Sequence, residues 1–172
     1  MQITEIQAEG YHYVTSNPPY GLWLNGNEYA HLDFAYKEHK QGGKFENKVQ
    51  SEVLFCELAY KHLLFGGKAG LLIPNSILNN GGMQKHRNYL TKRMRLWCSI
   101  SIPAHAFYFA NTNVNTGFIC LEKWQTKKDD YPIVFCIVEN IGFDERGRKT
   151  NKNDIPQMVN EFINFQTTQK NE

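Results

Sequence analysis

At 172 residues the chain is long enough to bury a core, as one domain or part of a larger one. Its 41% hydrophobic and 21% charged residues match a soluble globular protein. No apolar run approaches the roughly 20 residues of a membrane span, and MQITEIQAEG lacks the features of a signal peptide, so no membrane association and a cytoplasmic location are expected. The net charge of +2 is unevenly spread: between Glu57 and Glu122 stand Lys61, Lys68, Lys85, Arg87, Lys92, Arg93 and Arg95 with no acidic residue. Taking those seven charges from +2 leaves −5 for the rest, an imbalance that suits either a polyanion such as nucleic acid or a solvated helix face.

YHYVTS, residues 11–16, reads as a strand that Asn17-Pro18-Pro19-Tyr20 terminates, because two prolines remove ladder donors and fix φ. Residues 21–50 are polar and Gly-rich, a long mobile loop with a helical turn around 28–38. Ser51 is the expected N-cap of a helix running to about Phe65, stopped by Gly66-Gly67. AGLLIP, 69–74, is a wholly apolar strand expected to be covered on both faces. NSILNNGG turns the chain into a basic helix over 83–95, followed by a strand at 97–103. An aromatic and Asn-rich loop, 104–115, leads to strands at 116–124 and 131–140, then a polar turn. Asp154 and Pro156 open a helix to about Phe165, after which 166–172 should fray. The order is that of an α/β fold, with parallel strands first and antiparallel ones later.

Cys56, Cys98, Cys120 and Cys136 lie in apolar contexts without CxxC spacing, and the six histidines form no paired motif. The expectation is free buried thiols and no metal.

The diproline corner suits one chemistry in particular. The exocyclic amine of adenine is a poor nucleophile because its lone pair is delocalised into the ring. Two acceptors, one per N–H, would free that lone pair: the Asn17 side-chain oxygen and the Pro18 carbonyl, held with little reorganisation by the prolines. Tyr20 offers a face for a base flipped out of a duplex, returning roughly 1–3 kcal/mol of the cost. An isolated NPPY is otherwise a plain turn.

The ordered segments NPPYG, SEVLFCELAYKHLLFGGKAGLLIPNSIL, KHRNYLTKRMRLWCSISIPAHAFY, NVNTGFICLEK and VENIGFDERGRKTNKNDIPQMV resemble the N6-adenine DNA methyltransferases. The likeness is greatest to the modification subunits of type I restriction–modification systems and spans about 11–165. It implies catalytic roles for Asn17, Pro18 and Tyr20, with Pro19 fixing the shape. Phe107 would be the second base-stacking aromatic, with Tyr108 and Phe109 as competitors. Lys85, Arg87, Lys92, Arg93 and Arg95 are the candidate nucleic-acid contacts.

Such enzymes also carry a Gly-rich D-x-x-x-G-x-G loop for S-adenosylmethionine, and none occurs here. The resemblance therefore implies a partial S-adenosylmethionine-dependent methyltransferase fold, Rossmann-like with a mixed sheet, lacking its first three strands. Residues 11–124 would be the target-base half and 125–165 a strand–turn–helix extension. The chain alone should be inactive until a cofactor-binding half completes it. Strand 11–16 would be an exposed edge, covered by that half, by self-association or by a rearranged terminus. Implied partners are DNA, a specificity subunit that carries the recognition site, and a restriction subunit. Two alternatives stay open: a non-catalytic module binding DNA or a partner, and an NPPY methyltransferase acting on RNA or protein.

Overall fold

The computed structural model describes residues 10–25, 40–41, 44–45, 48–110 and 114–170. Five strands form the main sheet: β1 (Tyr11–Ser16), β6 (Leu63–Pro74), β8 (Thr116–Lys123), β7 (Met94–Ile102) and β9 (Val134–Ile137), in that spatial order. The β1–β6 and β7–β9 pairs are parallel, whereas β8 runs antiparallel to both its neighbours. This is the expected mixed α/β sheet. The expected 131–140 strand shortens to Val134–Ile137.

The segment between β1 and the first helix contributes short pairs: β2 (Trp23–Leu24) with β5 (Val49–Gln50), and β3 (Lys40–Gln41) with β4 (Lys44–Phe45). The helical turn expected around 28–38 lies outside the described residues.

Helix α1 (Ser51–His62) stops three residues short of the expected Phe65. Leu63 is already extended, at φ −80° and ψ 139°, and pairs with Tyr11. Gly66 and Gly67 do not end a helix. They form an irregularity inside β6, between the Tyr11–Leu63 and Tyr13–Lys68 pairs. Gly66 sits at φ +77°, a conformation glycine adopts without penalty. Nor is Ser51 the N-cap, which is Gln50 with no side-chain cap bond; Ser51 is the first helical residue.

One face of the sheet carries the main core. Ala69, Leu71 and Ile73 of β6 and Ile119 and Leu121 of β8 point the same way, as the period of two requires. Val53, Leu54 and Ala59 of α1 cover them, together with Tyr89 and Leu90. Each fully buried leucine or isoleucine here contributes roughly 1.5–3 kcal/mol. The opposite side of β6 is only half-buried at Gly70 and Leu72, so this strand is not covered equally on both faces.

NSILN folds as the short helix α2 (Asn75–Asn79), followed by a 3-10 turn at Gly81–Met83. The basic helix α3 spans Gln84–Thr91, because from Met94 the chain is strand β7, registered on Lys123. Residues Ala104–Ala110 form a 3-10 helix where a loop was expected.

The polar turn after β9 is a hairpin, β10 (Ile141–Phe143) with β11 (Lys149–Asn153). Helix α4 (Ile155–Lys170) runs through most of the tail expected to fray. Its Met158 and Phe162 pack on a second core of Cys98, Ile100, Cys120 and Val138, with Phe162 stacked on Trp97 at 4.8 Å. Asp154 accepts the amides of Glu139 and Asn140, which holds its carboxyl below the usual range. All four cysteines are free thiols, three of them buried. No described helix is long and apolar enough to cross a membrane.

Candidate active site

The diproline corner leaves the sheet at the carboxyl end of β1, where α/β sheets place ligands. Asn17 and Pro19 are exposed, Pro18 is buried and Tyr20 is half-buried. The Tyr20 hydroxyl donates to Asn17 Oδ1 at 2.9 Å and lies 3.4 Å from the Leu72 carbonyl. Burial, and then the nearby Glu52 charge, push the Tyr20 phenol up to about 12, so it keeps its proton and serves as donor. The Asn17 oxygen thus engages a side chain rather than the backbone.

The first turn of α1 closes on the corner from behind. Ser51 Oγ donates to the Pro19 carbonyl at 2.6 Å and also lies 3.2 Å from Glu52 Oε2. Glu52 Oε1 accepts the Gly21 amide at 2.7 Å, and the Ser51 amide donates to the Leu22 carbonyl at 2.8 Å. Sequence reasoning missed this role. An S-E pair opening an apolar helix reads as capping, and nothing local shows that both side chains turn toward residues some thirty positions earlier.

Phe107 meets Tyr20 edge to face, with ring centroids 5.9 Å apart and planes at 72°. Its competitors turn elsewhere. Phe109 packs on Phe143 at 5.7 Å, and Tyr108 lies against Gly147, where a Cβ would fall 2.6 Å from the ring. The β10–β11 hairpin therefore engages the other two aromatics, and Phe107 is the one brought to Tyr20. A base sandwiched between two rings needs roughly 7 Å between their planes, twice an ordinary carbon contact. At 5.9 Å and 72° the rings touch, so a base enters only as one of them rotates.

A cleft of about 1220 Å³ opens beside the same 3-10 helix, at the carboxyl ends of β7 and β9. Ser101, His105, Tyr108, Asn115, Glu139 and Glu145 line it, whereas Asn17 and Tyr20 do not. The geometry of the corner, not the size of this cleft, identifies the candidate site.

The basic residues divide. Lys85 and Lys92 are exposed. Arg87 is spent on the protein itself, donating to the Ile77 and Asn80 carbonyls and to Gln84 Oε1 at 2.8–2.9 Å. Arg93 lies 3.8 Å over the Tyr89 ring and donates to the Tyr89 carbonyl. Arg95 is on β7 rather than on a helix, registered on Glu122 with its guanidinium over Tyr131. Since Thr116 pairs with Pro74 and Met94 with Lys123, residues 92–95 stand at the end of the sheet away from Asn17. The structure does not bring Lys92, Arg93 and Arg95 to the corner. No cluster of three or more potential metal ligands occurs among the described residues.

A family model described as N-6 DNA Methylase matches residues 2–171. A methylase subunit of the type I restriction enzyme MpnII from Mycoplasma pneumoniae is 26% identical over 166 residues. The match takes in 95% of this chain, yet the chain spans only 29% of that relative. Among solved structures, a type I restriction-modification methyltransferase subunit from Streptococcus thermophilus superposes with a TM-score of 0.66 at 21% identity, covering 93% of this chain and 33% of that one. A putative class I S-adenosylmethionine-dependent methyltransferase from Listeria monocytogenes gives 0.59 at 17% identity, covering 78% and 39%. These similarities establish a partial fold of that class.

Proposed function

Since the chain belongs to the N-6 DNA methylase family, we propose that it is the target-base half of a DNA adenine-N6 methyltransferase of the type I restriction–modification kind. The observation that carries this reading is the meeting of Asn17, Tyr20 and Phe107 at the carboxyl end of β1, with Asn17 exposed. Asn17 Oδ1 and the Pro18 carbonyl accept the two N–H groups of the flipped adenine, and this frees the amine lone pair. The Tyr20 hydroxyl occupies the Asn17 oxygen in the meantime, satisfying an acceptor that the amine takes over. Ser51 already claims the Pro19 carbonyl, while among the described residues no protein donor takes that of Pro18. Tyr20 and Phe107 part to hold the base between them.

S-adenosylmethionine supplies the methyl group in this chemistry. The described residues do not fit it: each strand-to-helix junction, at Gln50–Ser51, Pro74–Asn75 and Asn153–Ile155, lacks a glycine-rich loop. A complementary half binds the cofactor, and the chain alone is inactive. That half docks on β1, an edge strand that exposes Tyr11 and Tyr13. Residues 11–124 form the catalytic unit and 125–165 its strand–turn–helix extension. DNA, a specificity subunit and a restriction subunit are the partners, in the cytoplasm.

The test combines the chain with the cofactor-binding half and specificity subunit of a type I system, and analyses the modified nucleosides. N6-methyladenine is the expected product. Asn17→Ala should lower transfer by about 100-fold or more while DNA binding persists. Methylated RNA or protein instead, or transfer indifferent to Asn17→Ala, overturns the reading.

A further inference from the structure

Ser51 is fully buried and Glu52 is 3% exposed, although such polar and charged residues ordinarily face water. A buried carboxylate is costly unless it accepts hydrogen bonds. Glu52 lies in the first turn of α1, where the helix dipole favours an anion, and it accepts the Gly21 amide at 2.7 Å. Ser51 has one hydroxyl proton and two acceptors in reach. The shorter contact, 2.6 Å, is to the Pro19 carbonyl.

We propose that Ser51 and Glu52 are positioning residues for the diproline corner, holding the Pro18 carbonyl and Asn17 where the amine must find them. This rests on the methyltransferase reading and deepens it. The reason is geometric. Proline rings fix φ but leave ψ free. At Pro19 the ring fixes φ and the Ser51 bond on its carbonyl fixes ψ. The peptide plane that bears the Pro18 carbonyl then has no soft dihedral left on its C-terminal side. Beyond Tyr20, the Gly21 amide on Glu52 and the Leu22 carbonyl on the Ser51 amide anchor the chain to the same helical turn. Gly21, at φ +69°, makes the sharp turn this route requires.

Two readouts test it. In the full chain, hydrogen exchange of the Gly21 amide is followed by NMR, with the Leu121 amide of β8 as the fold control. Glu52→Leu should speed Gly21 exchange roughly 10- to 100-fold, and Glu52→Gln less, because it keeps the shape and loses the charge. In the reconstituted assembly, Ser51→Ala should lower kcat about tenfold with the KM for DNA unmoved, and Ser51→Thr should restore it. Unchanged Gly21 exchange in Glu52→Gln and Glu52→Leu, with Leu121 unaltered, overturns the proposal. So does a Ser51→Ala loss that Ser51→Thr fails to recover. Should Glu52→Leu not fold, Glu52→Gln and the Ser51 pair decide. A wild-type assembly that transfers no methyl group defeats the proposed function, while Gly21 exchange still decides whether Glu52 holds the corner.

Discussion

The two ends of the main sheet use polar residues in opposite ways. At the Asn17–Tyr20 end, Asn17 is exposed and its oxygen accepts an exchangeable bond from the Tyr20 hydroxyl. At the Arg93–Arg95 end, both guanidinium groups lie over aromatic rings, and that of Arg93 also donates to the Tyr89 carbonyl. One end holds its asparagine oxygen by a bond from an exposed corner's own tyrosine, and the other draws its guanidinium groups onto aromatic rings of the fold. In the linear chain both look like candidate contacts. Only a side chain whose capacity is left over can serve a ligand without first breaking structure.

The contrast can be broken by measuring stability rather than activity. Arg87 makes three hydrogen bonds from a charged group, so Arg87→Ala should cost about 2–3 kcal/mol in denaturant unfolding. Asn17→Ala, at an exposed corner, should stay within about 0.5 kcal/mol. A large loss at Asn17 would make the corner a structural element. The hairpin behind the aromatic segment gives a second comparison. Gly147 is at φ +72°, and a Cβ there would fall 2.6 Å from the Tyr108 ring; Gly81 has nothing within 4 Å. Gly147→Ala should cost about 1–2 kcal/mol and Gly81→Ala well under that. The Gly147 change should also shift the NMR signals of the Phe107 ring, if the hairpin sets where that segment lies.

Smaller effects concern charge. Lys85→Ala and Lys92→Ala should each reduce the slope of log affinity against log salt by about 1 if these exposed lysines meet phosphates. Arg93→Ala should leave that slope unchanged, because its guanidinium is engaged by Tyr89. The gentlest test is alkaline. Tyr20 titrates at about 12 in the folded protein against about 10 when unfolded. A raised pKa means its contribution to stability is complete below pH 10 and lost as the pH climbs toward 12. The ring signals of Tyr20 should therefore hold steady to about pH 10, and Tyr20→Phe should remove part of the alkaline loss of stability.

Much of the fold was legible in the sequence because it rests on local pattern. The continuous apolar run AGLLIP marks a strand and the apolar spacing in SEVLFCELA a helix, although a wholly apolar run does not show that one face of the strand is covered less than the other. NPPY was legible for a similar reason, since proline's fixed φ acts whatever the surroundings. Boundaries were less so. Gly66-Gly67 look like a helix stop, yet Leu63 had already entered the sheet by pairing with Tyr11, fifty-two positions away.

What the sequence determined alone was the menu of elements and the stiff corner that bears Asn17 and Pro18. Tertiary structure alone decided that Phe107, not Tyr108 or Phe109, reaches Tyr20, that Ser51 and Glu52 bond to the corner, and that Arg93 and Arg95 lie over aromatic rings at the far end. Periodicity and proline geometry are properties of neighbouring residues. Which hydrogen bond a side chain makes, and whether any capacity remains for a ligand, depends on groups that only folding brings within three ångströms or so.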